Sequence, residues 1–207
     1  MTIHHAVLLM DIYSSKVSHL VEYDTLLISL CCLLISCKYL QIKYPGADTL
    51  NDMVRRKYTA QQIIDTEGLV LETIDWNLMV FSILDYVKLF ISQGCLFENE
   101  EILKVNADNV LDDSTVKEHP QPKLAEHFKK YAEFFSDFCM YQECFMTVDP
   151  YFLACAIVAY TRKYMGVSII WPTEMELLTQ CTLHHFRDLY LIIESKYTEN
   201  FPRHASS

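Results

Sequence analysis

The sequence predicts an all-α protein, and three observations support this fold class. Hydrophobic residues make up 51% of the 207 residues, which is typical of a globular protein with a sizeable core. Only 4 glycines and 6 prolines are present, too few for the turn-rich chain of an all-β protein. Apolar residues recur at helical spacing, and capping residues precede several of these segments.

The first predicted helix covers residues 3–14. Its apolar residues recur at the three- and four-residue spacing of one helix face. A break at Ser14 and Ser15 then leads through a short connection to a much more apolar stretch. The apolar positions of the first helix are Ile3, Ala6, Val7, Met10 and Tyr13.

The stretch from Asp24 to Gln41 predicts the central helix around which the other elements pack. It carries no charge between Asp24 and Lys38, a span much shorter than the roughly 20 residues needed to cross a membrane. A helix that is apolar on every side must be surrounded by other elements. Asp24 suits the N-cap and Lys38 suits the negative end of the helix dipole. Residues 44–46, Tyr-Pro-Gly, are expected to stop the helix.

Two helices are predicted next. Asp48 is placed to cap a short one. Thr59 and Gln62 form the pattern of a capping box, in which each side chain satisfies a free backbone amide, ahead of a helix that runs to about Ile74. Gly68 lies inside that helix at a cost of about 1 kcal/mol relative to alanine, so we expect close packing there.

The second half of the chain predicts a second cluster of helices that is built like the first. Ser82 and Asp85 open its first helix and Gly94 ends it. An aspartate and a proline at 149–150 supply a cap and a favourable first residue for another strongly apolar helix. The predicted helices cover about 82–92, 123–141, 150–166, a short segment from 173, and about 182–197, and the tail at 201–207 is expected to fray.

Residues 95–121 lose the helical periodicity and predict a solvated acidic insert. A His-Pro-Gln-Pro run closes the segment. Such a loop is most often solvated, and its charge could also attract a basic partner. The acids counted in this insert are Glu98, Glu100, Glu101, Asp108, Asp112 and Asp113.

The net charge of −10 argues against nucleic-acid binding, which depends on clustered lysine and arginine, and favours protein partners. The eight cysteines lie mostly in apolar helical runs, and no secretory signal precedes the first helix. We therefore expect reduced core thiols in an intracellular protein, nuclear or cytoplasmic, that does not enter a membrane.

No catalytic, metal or cofactor site is predicted. The cysteines lack the paired short spacing of a zinc site. His4 with His5, and His184 with His185, are adjacent pairs, which is a poor ligand geometry on a helix. No acid and base are matched to a nucleophile, and there is no phosphate-binding glycine loop. We therefore expect that the protein is not an enzyme.

Several segments resemble the cyclin family. LLISLCCLLISCKYLQIKYPG is similar to the third helix of the first cyclin box, and YTAQQIIDTEGLVLETIDWNL is similar to its fifth helix. The last three helices of the second box resemble DPYFLACAIVAYTRKYMG, WPTEMELLTQC and TLHHFRDLYLIIESKY. The resemblance implies tandem five-helix bundles, with an incomplete N-terminal box at 1–80, a C-terminal box at 81–200 that contains the insert at about 95–121, and a tail at 201–207.

The resemblance also implies that the partner is a cyclin-dependent kinase. In the family, a lysine that ends the third helix and a glutamate in the fifth grip the kinase around its mobile helix, and these positions are Lys38 and Glu67 here. From the residues alone, Lys38 is explained more simply as a cation at a helix end and Glu67 as a solvated acid. The apolar groove of the family matches Tyr39, Leu71, Trp76 and Leu78, of which Trp76 and Leu78 are also explained by core packing.

The chain departs from the family pattern in three places. It begins at what resembles the second helix of the first box, so the opening helix is missing. That helix carries most of the substrate-docking patch in the family, and Thr25 and Leu26 occupy the remainder here. Leu40 and Gln41 stand where the family often has two acids, and the acidic insert splits the second box.

Three hypotheses of function follow. The leading one is a cyclin-like regulatory subunit that binds and positions a cyclin-dependent kinase. The alternative is a structural or scaffold subunit of a larger assembly, in which further protein subunits cover the slot of the missing helix and the exposed flank of the apolar central helix. A transcription factor with cyclin boxes would need a basic face, which the acidic composition does not favour.

Overall fold

The computed structural model describes residues 1–17, 24–94, 96–97, 100 and 122–202. Within these ranges the chain forms nine α-helices and short 3-10 turns, without a β-strand. The prediction of an all-α protein is confirmed. The chain divides into two compact units, Met1–Ser82 and Ile83–Ser207, and each has its own hydrophobic core.

The central helix of the first unit is α2, because the other three helices of that unit all pack against it. Eight of its 16 residues are buried, and its exposed large hydrophobic residues, Leu26 and Tyr39, lie near its two ends. The prediction that other elements surround this helix is confirmed, and the apolar flank that the scaffold hypothesis invoked is mostly covered. The helices are α1 (Thr2–Lys16), α2 (Thr25–Leu40), α3 (Ala47–Met53) and α4 (Ala60–Thr73).

Two predicted caps of the first unit are confirmed. The carboxylate of Asp24 accepts the first-turn backbone amides of α2 at 3.2 and 3.3 Å. It also accepts hydrogen bonds from Lys57 and Tyr58, which hold the pKa of Asp24 below its ordinary value. Thr59 and Gln62 form the capping box of α4, with bonds of 2.8 and 3.2 Å between each side chain and the other residue's amide.

The predicted span of α2 is confirmed, with Asp24 as its N-cap and Gln41 as its C-cap, but the turn predicted to stop the helix lies further along the chain. The helix ends at Leu40, before the Tyr-Pro-Gly turn at residues 44–46. Gln41 takes an extended backbone, and its side chain donates to the Thr2 hydroxyl at 2.9 Å. This hydrogen bond joins the C-cap of α2 to the first residue of α1.

Two predictions for α3 and α4 are wrong. Asp48 lies in the first turn of α3, because the carbonyl of Gly46 already accepts a helical amide and makes Gly46 the N-cap. Gly68 is not closely packed, since a Cβ atom placed on it would meet no atom within 4 Å. Within the first unit, the space beside Gly68 is open.

The second unit is built around α7. That helix packs against α5, α6 and α9, and ten of its 15 residues are buried. The predicted start of α7 is confirmed, since Asp149 accepts the Tyr151 amide at 2.8 Å and Pro150 is the first helical residue. The helices are α5 (Ile83–Ser92), α6 (Pro122–Met140), α7 (Pro150–Tyr164), α8 (Thr173–Thr179) and α9 (Arg187–Asn200).

The segment predicted as one final helix is divided in two. A 3-10 turn at Leu183–Phe186 precedes α9, and the backbone of Phe186 leaves the helical region at φ −132°, ψ 16°. Its buried ring meets Trp171 edge to face at 4.7 Å, so tertiary packing fixes this break. The tail also begins packed, because the ring of Phe201 lies 5.0 Å from that of Tyr197, while 203–207 fall outside the described residues.

One acid of the predicted insert is not solvated. Glu100 is only 5% exposed and forms an ion pair with Arg162 of α7, which is fully buried. Leu96 and Phe97 pack against the core of the second unit. Residues 95, 98–99 and 101–121, which carry the other acids of the insert, lie outside the described part of the chain.

Seven cysteines lie in the described part, all free, and six of them are buried. Burial raises the pKa of both Cys31 and Cys32 to about 12, so these thiols are neutral at physiological pH. Cys95 is outside the described residues. In the same ranges, no helix has the length and apolarity to cross a bilayer, and no three His, Cys, Asp or Glu side chains converge as metal ligands.

Candidate functional site

Lys38 and Glu67 form an ion pair that joins α2 to α4. The Lys38 ammonium lies 2.6 and 2.8 Å from the two carboxylate oxygens of Glu67. Lys38 is the more accessible partner, with 42% of its side chain exposed against 16% for Glu67. The fold thus brings together two residues that lie 29 positions apart in the sequence.

Tyr39 lies next to this pair and is joined to Leu78 through His5. The exposed Tyr39 ring stacks on the His5 ring, with centroids 5.5 Å apart. His5 is buried on α1, and its Nε2 lies 3.0 Å from the carbonyl oxygen of Leu78. Its Nδ1 lies 2.8 Å from the Ser36 hydroxyl. One histidine therefore contacts the end of α2 and the segment that follows α4.

The turn after α4 presents Trp76 to solvent. Its side chain is 65% exposed, and its φ of 56° is rare for a bulky residue. The Trp76 amide donates to the Leu71 carbonyl at 2.8 Å, and the Leu78 amide donates to the Trp76 carbonyl at 3.1 Å. Leu71 and Leu78 are half-buried against the core of the first unit. The exposed indole therefore belongs to a turn whose backbone is bonded to two residues that pack against the core.

These contacts connect the six residues predicted for kinase binding. Lys38 bonds Glu67, Tyr39 is linked to Leu78 through His5, and Trp76 is bonded to both leucines through the backbone. Glu67 and Leu71 are one helical turn apart on α4, so they share a face. We name the six residues the α2–α4 surface. They are Lys38, Tyr39, Glu67, Leu71, Trp76 and Leu78.

The α2–α4 surface combines one ion pair with aromatic and aliphatic side chains. Its ammonium can donate to a backbone carbonyl, its carboxylate can accept a backbone amide, and its apolar side chains can cover a hydrophobic residue. Burial raises the pKa of the Cys31 thiol of α2, with smaller contributions from Cys32 and Glu67, so this thiol stays neutral. The arrangement is suited to recognition of another protein.

Thr25 and Leu26, the predicted remnant of a substrate-docking patch, are not part of this surface. Both are exposed in the first turn of α2. At a rise of about 1.5 Å per residue they lie about 18 Å along the helix from Lys38. Any role of theirs is therefore separate from that of the α2–α4 surface.

Sequence reasoning missed His5, which it considered only as half of a metal-binding pair. His5 lies one helical turn before Leu9, and both are buried. That i, i+4 spacing places the imidazole on the inward face of α1, where a polar ring needs hydrogen-bond partners. The spacing was a usable signal, whereas the identity of the partners was not available from the local sequence.

Two family models match this chain. Residues 1–79 match the cyclin N-terminal domain, and residues 113–206 match the cyclin C-terminal domain. Together these segments cover most of the 207 residues. The resemblance stated from the sequence is confirmed, as is the fold of tandem cyclin boxes.

Individual proteins show the same likeness. In alignments of 183 positions that cover 85% of this chain, it is 24% identical to Cyclin-J of Xenopus laevis and to Cyclin-J of Homo sapiens. It spans 44% and 43% of the lengths of these relatives. The X-ray structure of a viral cyclin from herpesvirus saimiri shares the fold, with a TM-score of 0.59 and 12% identity over 96% of this chain and 86% of that one. This chain belongs to the cyclin family.

Proposed function

We propose that this chain is a regulatory subunit that binds a cyclin-dependent kinase through the α2–α4 surface and positions the mobile helix of that kinase. The main observation in support is the ion pair of Lys38 and Glu67, in a surface that also exposes the aromatic side chains of Tyr39 and Trp76. The family membership of the chain supports a protein partner of this class.

The energetics of the ion pair favour a binding role over a folding role. The pair is partly exposed through Lys38, and such pairs contribute only about 0–1 kcal/mol net to stability. An ammonium has three donors, and the carboxylate of Glu67 leaves at least one of those of Lys38 available. Bonding to a partner's backbone carbonyl uses that donor without breaking the internal pair.

Activation would follow from differential binding of the two states of the kinase. Burying one aliphatic side chain of the kinase helix among Tyr39, Trp76 and the leucines contributes about 1.5–3 kcal/mol. The positioned helix brings its glutamate to the ATP-binding lysine, and that pair is required for phosphoryl transfer. Shifting a kinase from 1% to 99% active needs about 10⁴-fold tighter binding of the active state.

The test reverses the polarity of the ion pair while keeping the pair. In the double variant Lys38→Glu with Glu67→Lys, the internal bond can re-form but the charges offered to a partner are exchanged. We expect at least about tenfold weaker binding to a purified panel of cyclin-dependent kinases, measured by calorimetry. Unchanged affinity in this variant would remove the site assignment.

The matched control is the pair Lys163–Glu194 in the second unit. The Lys163 ammonium lies 2.6 Å from a carboxylate oxygen of Glu194, and the Lys163 side chain is 44% exposed. Glu194 is 35% exposed against 16% for Glu67, so the effect of the exchange Lys163→Glu with Glu194→Lys on folding is measured beside that of the test variant. We expect this control exchange to leave kinase affinity unchanged.

The scaffold alternative is favoured by one observation at the end of α2. Gln41 replaces one of two acids common in the family, and its side chain bonds Thr2 within the unit. A scaffold subunit would bind its partner without raising kinase activity. Measuring phosphoryl transfer beside affinity separates the two functions, because tight binding without activation supports the scaffold and rejects the activator.

A further inference from the structure

We infer that His5 is a positioning residue of the α2–α4 surface. It fixes Tyr39, at the end of α2, relative to Leu78, in the segment after α4. This inference rests on the proposed function for its binding consequence, but its structural part stands independently. The observation behind it is that one buried ring contacts Tyr39 on α2 and the Leu78 backbone after α4.

The hydrogen bonds of His5 specify its orientation. A carbonyl oxygen only accepts, so Nε2 must carry the proton that it donates to Leu78. In the neutral ring, Nδ1 is then the acceptor of the Ser36 hydroxyl at 2.8 Å. With both nitrogens bonded to different segments, the ring is held in one orientation.

Holding the ring fixes two residues of the α2–α4 surface. Tyr39 stacks on the His5 ring with an interplanar angle of 24°, so its exposed ring has a defined support. Leu78 lies in a segment outside any helix, where the anchored carbonyl limits movement of the chain. The Leu78 amide also donates to the Trp76 carbonyl. The hydrogen bond from His5 to Leu78 therefore also limits movement of the turn that carries the exposed indole of Trp76.

The structural test uses 5-fluorotryptophan, because the chain has only two tryptophans and they differ in exposure. Trp76 is 65% exposed and Trp171 is 8% exposed, so a solvent isotope shift assigns their two ¹⁹F resonances. In His5→Leu we expect the Trp76 resonance to move or broaden while that of Trp171 stays. An unchanged Trp76 resonance would overturn the positioning role, whether or not a kinase binds.

The binding test compares two substitutions of His5 with the kinase that binds the wild type. His5→Leu fills the site but removes both hydrogen bonds, and we expect about tenfold weaker affinity. His5→Gln restores a donor to the Leu78 carbonyl, so affinity should recover in part. A leucine variant that binds as well as wild type would overturn the consequence for binding.

The control separates positioning from a general loss of stability. Ile63→Val removes a methylene from the core of the first unit, where Ile63 is 2% exposed, and leaves the hydrogen bonds of His5 to Ser36 and Leu78 in place. It should lower the unfolding temperature and leave affinity and the Trp76 resonance unchanged. If no kinase binds the wild type, the proposed function fails, and the ¹⁹F result alone decides the role of His5.

Discussion

Arg162 and Glu100 form a buried ion pair inside the second unit, with 0% and 5% of their side chains exposed. The Arg162 guanidinium also donates to the carbonyls of Ile169 and Ile170, at 2.8 and 2.9 Å. The Glu100 carboxylate accepts the Phe97 amide at 2.9 Å. The pair therefore anchors the segment after α5 and the loop after α7 to one position on α7.

Breaking this pair should destabilise the second unit strongly. Truncating Glu100 to alanine removes the buried carboxylate that pairs with the Arg162 guanidinium, and breaking a buried pair in this way costs about 3–5 kcal/mol. Chemical denaturation monitored by circular dichroism measures the effect. The control is Glu194→Ala at the exposed Lys163–Glu194 pair, for which a loss below about 1 kcal/mol is expected. Equal losses of unfolding free energy in Glu100→Ala and Glu194→Ala would contradict the burial of the Arg162–Glu100 pair.

Truncating Lys38 should weaken kinase binding and also destabilise the first unit. Lys38→Ala leaves the Glu67 carboxylate, which is only 16% exposed, without its counter-charge, so the free energy of unfolding should fall by about 1–3 kcal/mol. Kinase affinity should fall at least about tenfold, because Glu67 is then left at the interface without its counter-charge. Lys163→Ala, at the exposed pair with Glu194 in the second unit, is the control and should leave affinity unchanged. Parallel calorimetry and thermal unfolding check both expectations.

Gly68→Ala should stabilise the protein. The added methyl group meets no atom within 4 Å, and alanine is about 1 kcal/mol more favourable than glycine inside a helix. Gly94→Ala is the matched control: it has the same open space, but at φ +102° an L side chain is strained, so stability should fall. Thermal unfolding of both variants is the measurement, and a fall in both would refute the open site at Gly68.

Asp11 should make the first unit less stable as pH rises. Burial raises the pKa of this half-buried carboxyl, so the folded state holds its proton to higher pH than the unfolded state. Its contribution is present below the unfolded pKa and is lost as pH rises through the folded pKa. Asp11→Asn should therefore be more stable than wild type at neutral pH, with no such advantage below the unfolded pKa. Denaturation across acidic to neutral pH tests this, and a constant difference between the two proteins would contradict it.

The local features of the fold were predictable because they depend on residues close in sequence. A cap such as Asp24, Thr59 or Asp149 bonds amides within the next three residues, so its chemistry is visible in the sequence. The burial of α2 and α7 follows from their composition, since a helix apolar on all faces must be covered. The resemblance to the cyclin family supplied the candidate site residues, which no local pattern indicated.

The sequence by itself thus determined the all-α class, the two central helices and most of their caps. Only the tertiary structure decided that Glu100 is buried, that Gly68 faces open space and that His5 joins Tyr39 to Leu78. Each of these outcomes depends on contacts, or their absence, between segments distant in the chain. Helical periodicity states which face of a helix is apolar, but packing alone determines which residue of another helix that face meets.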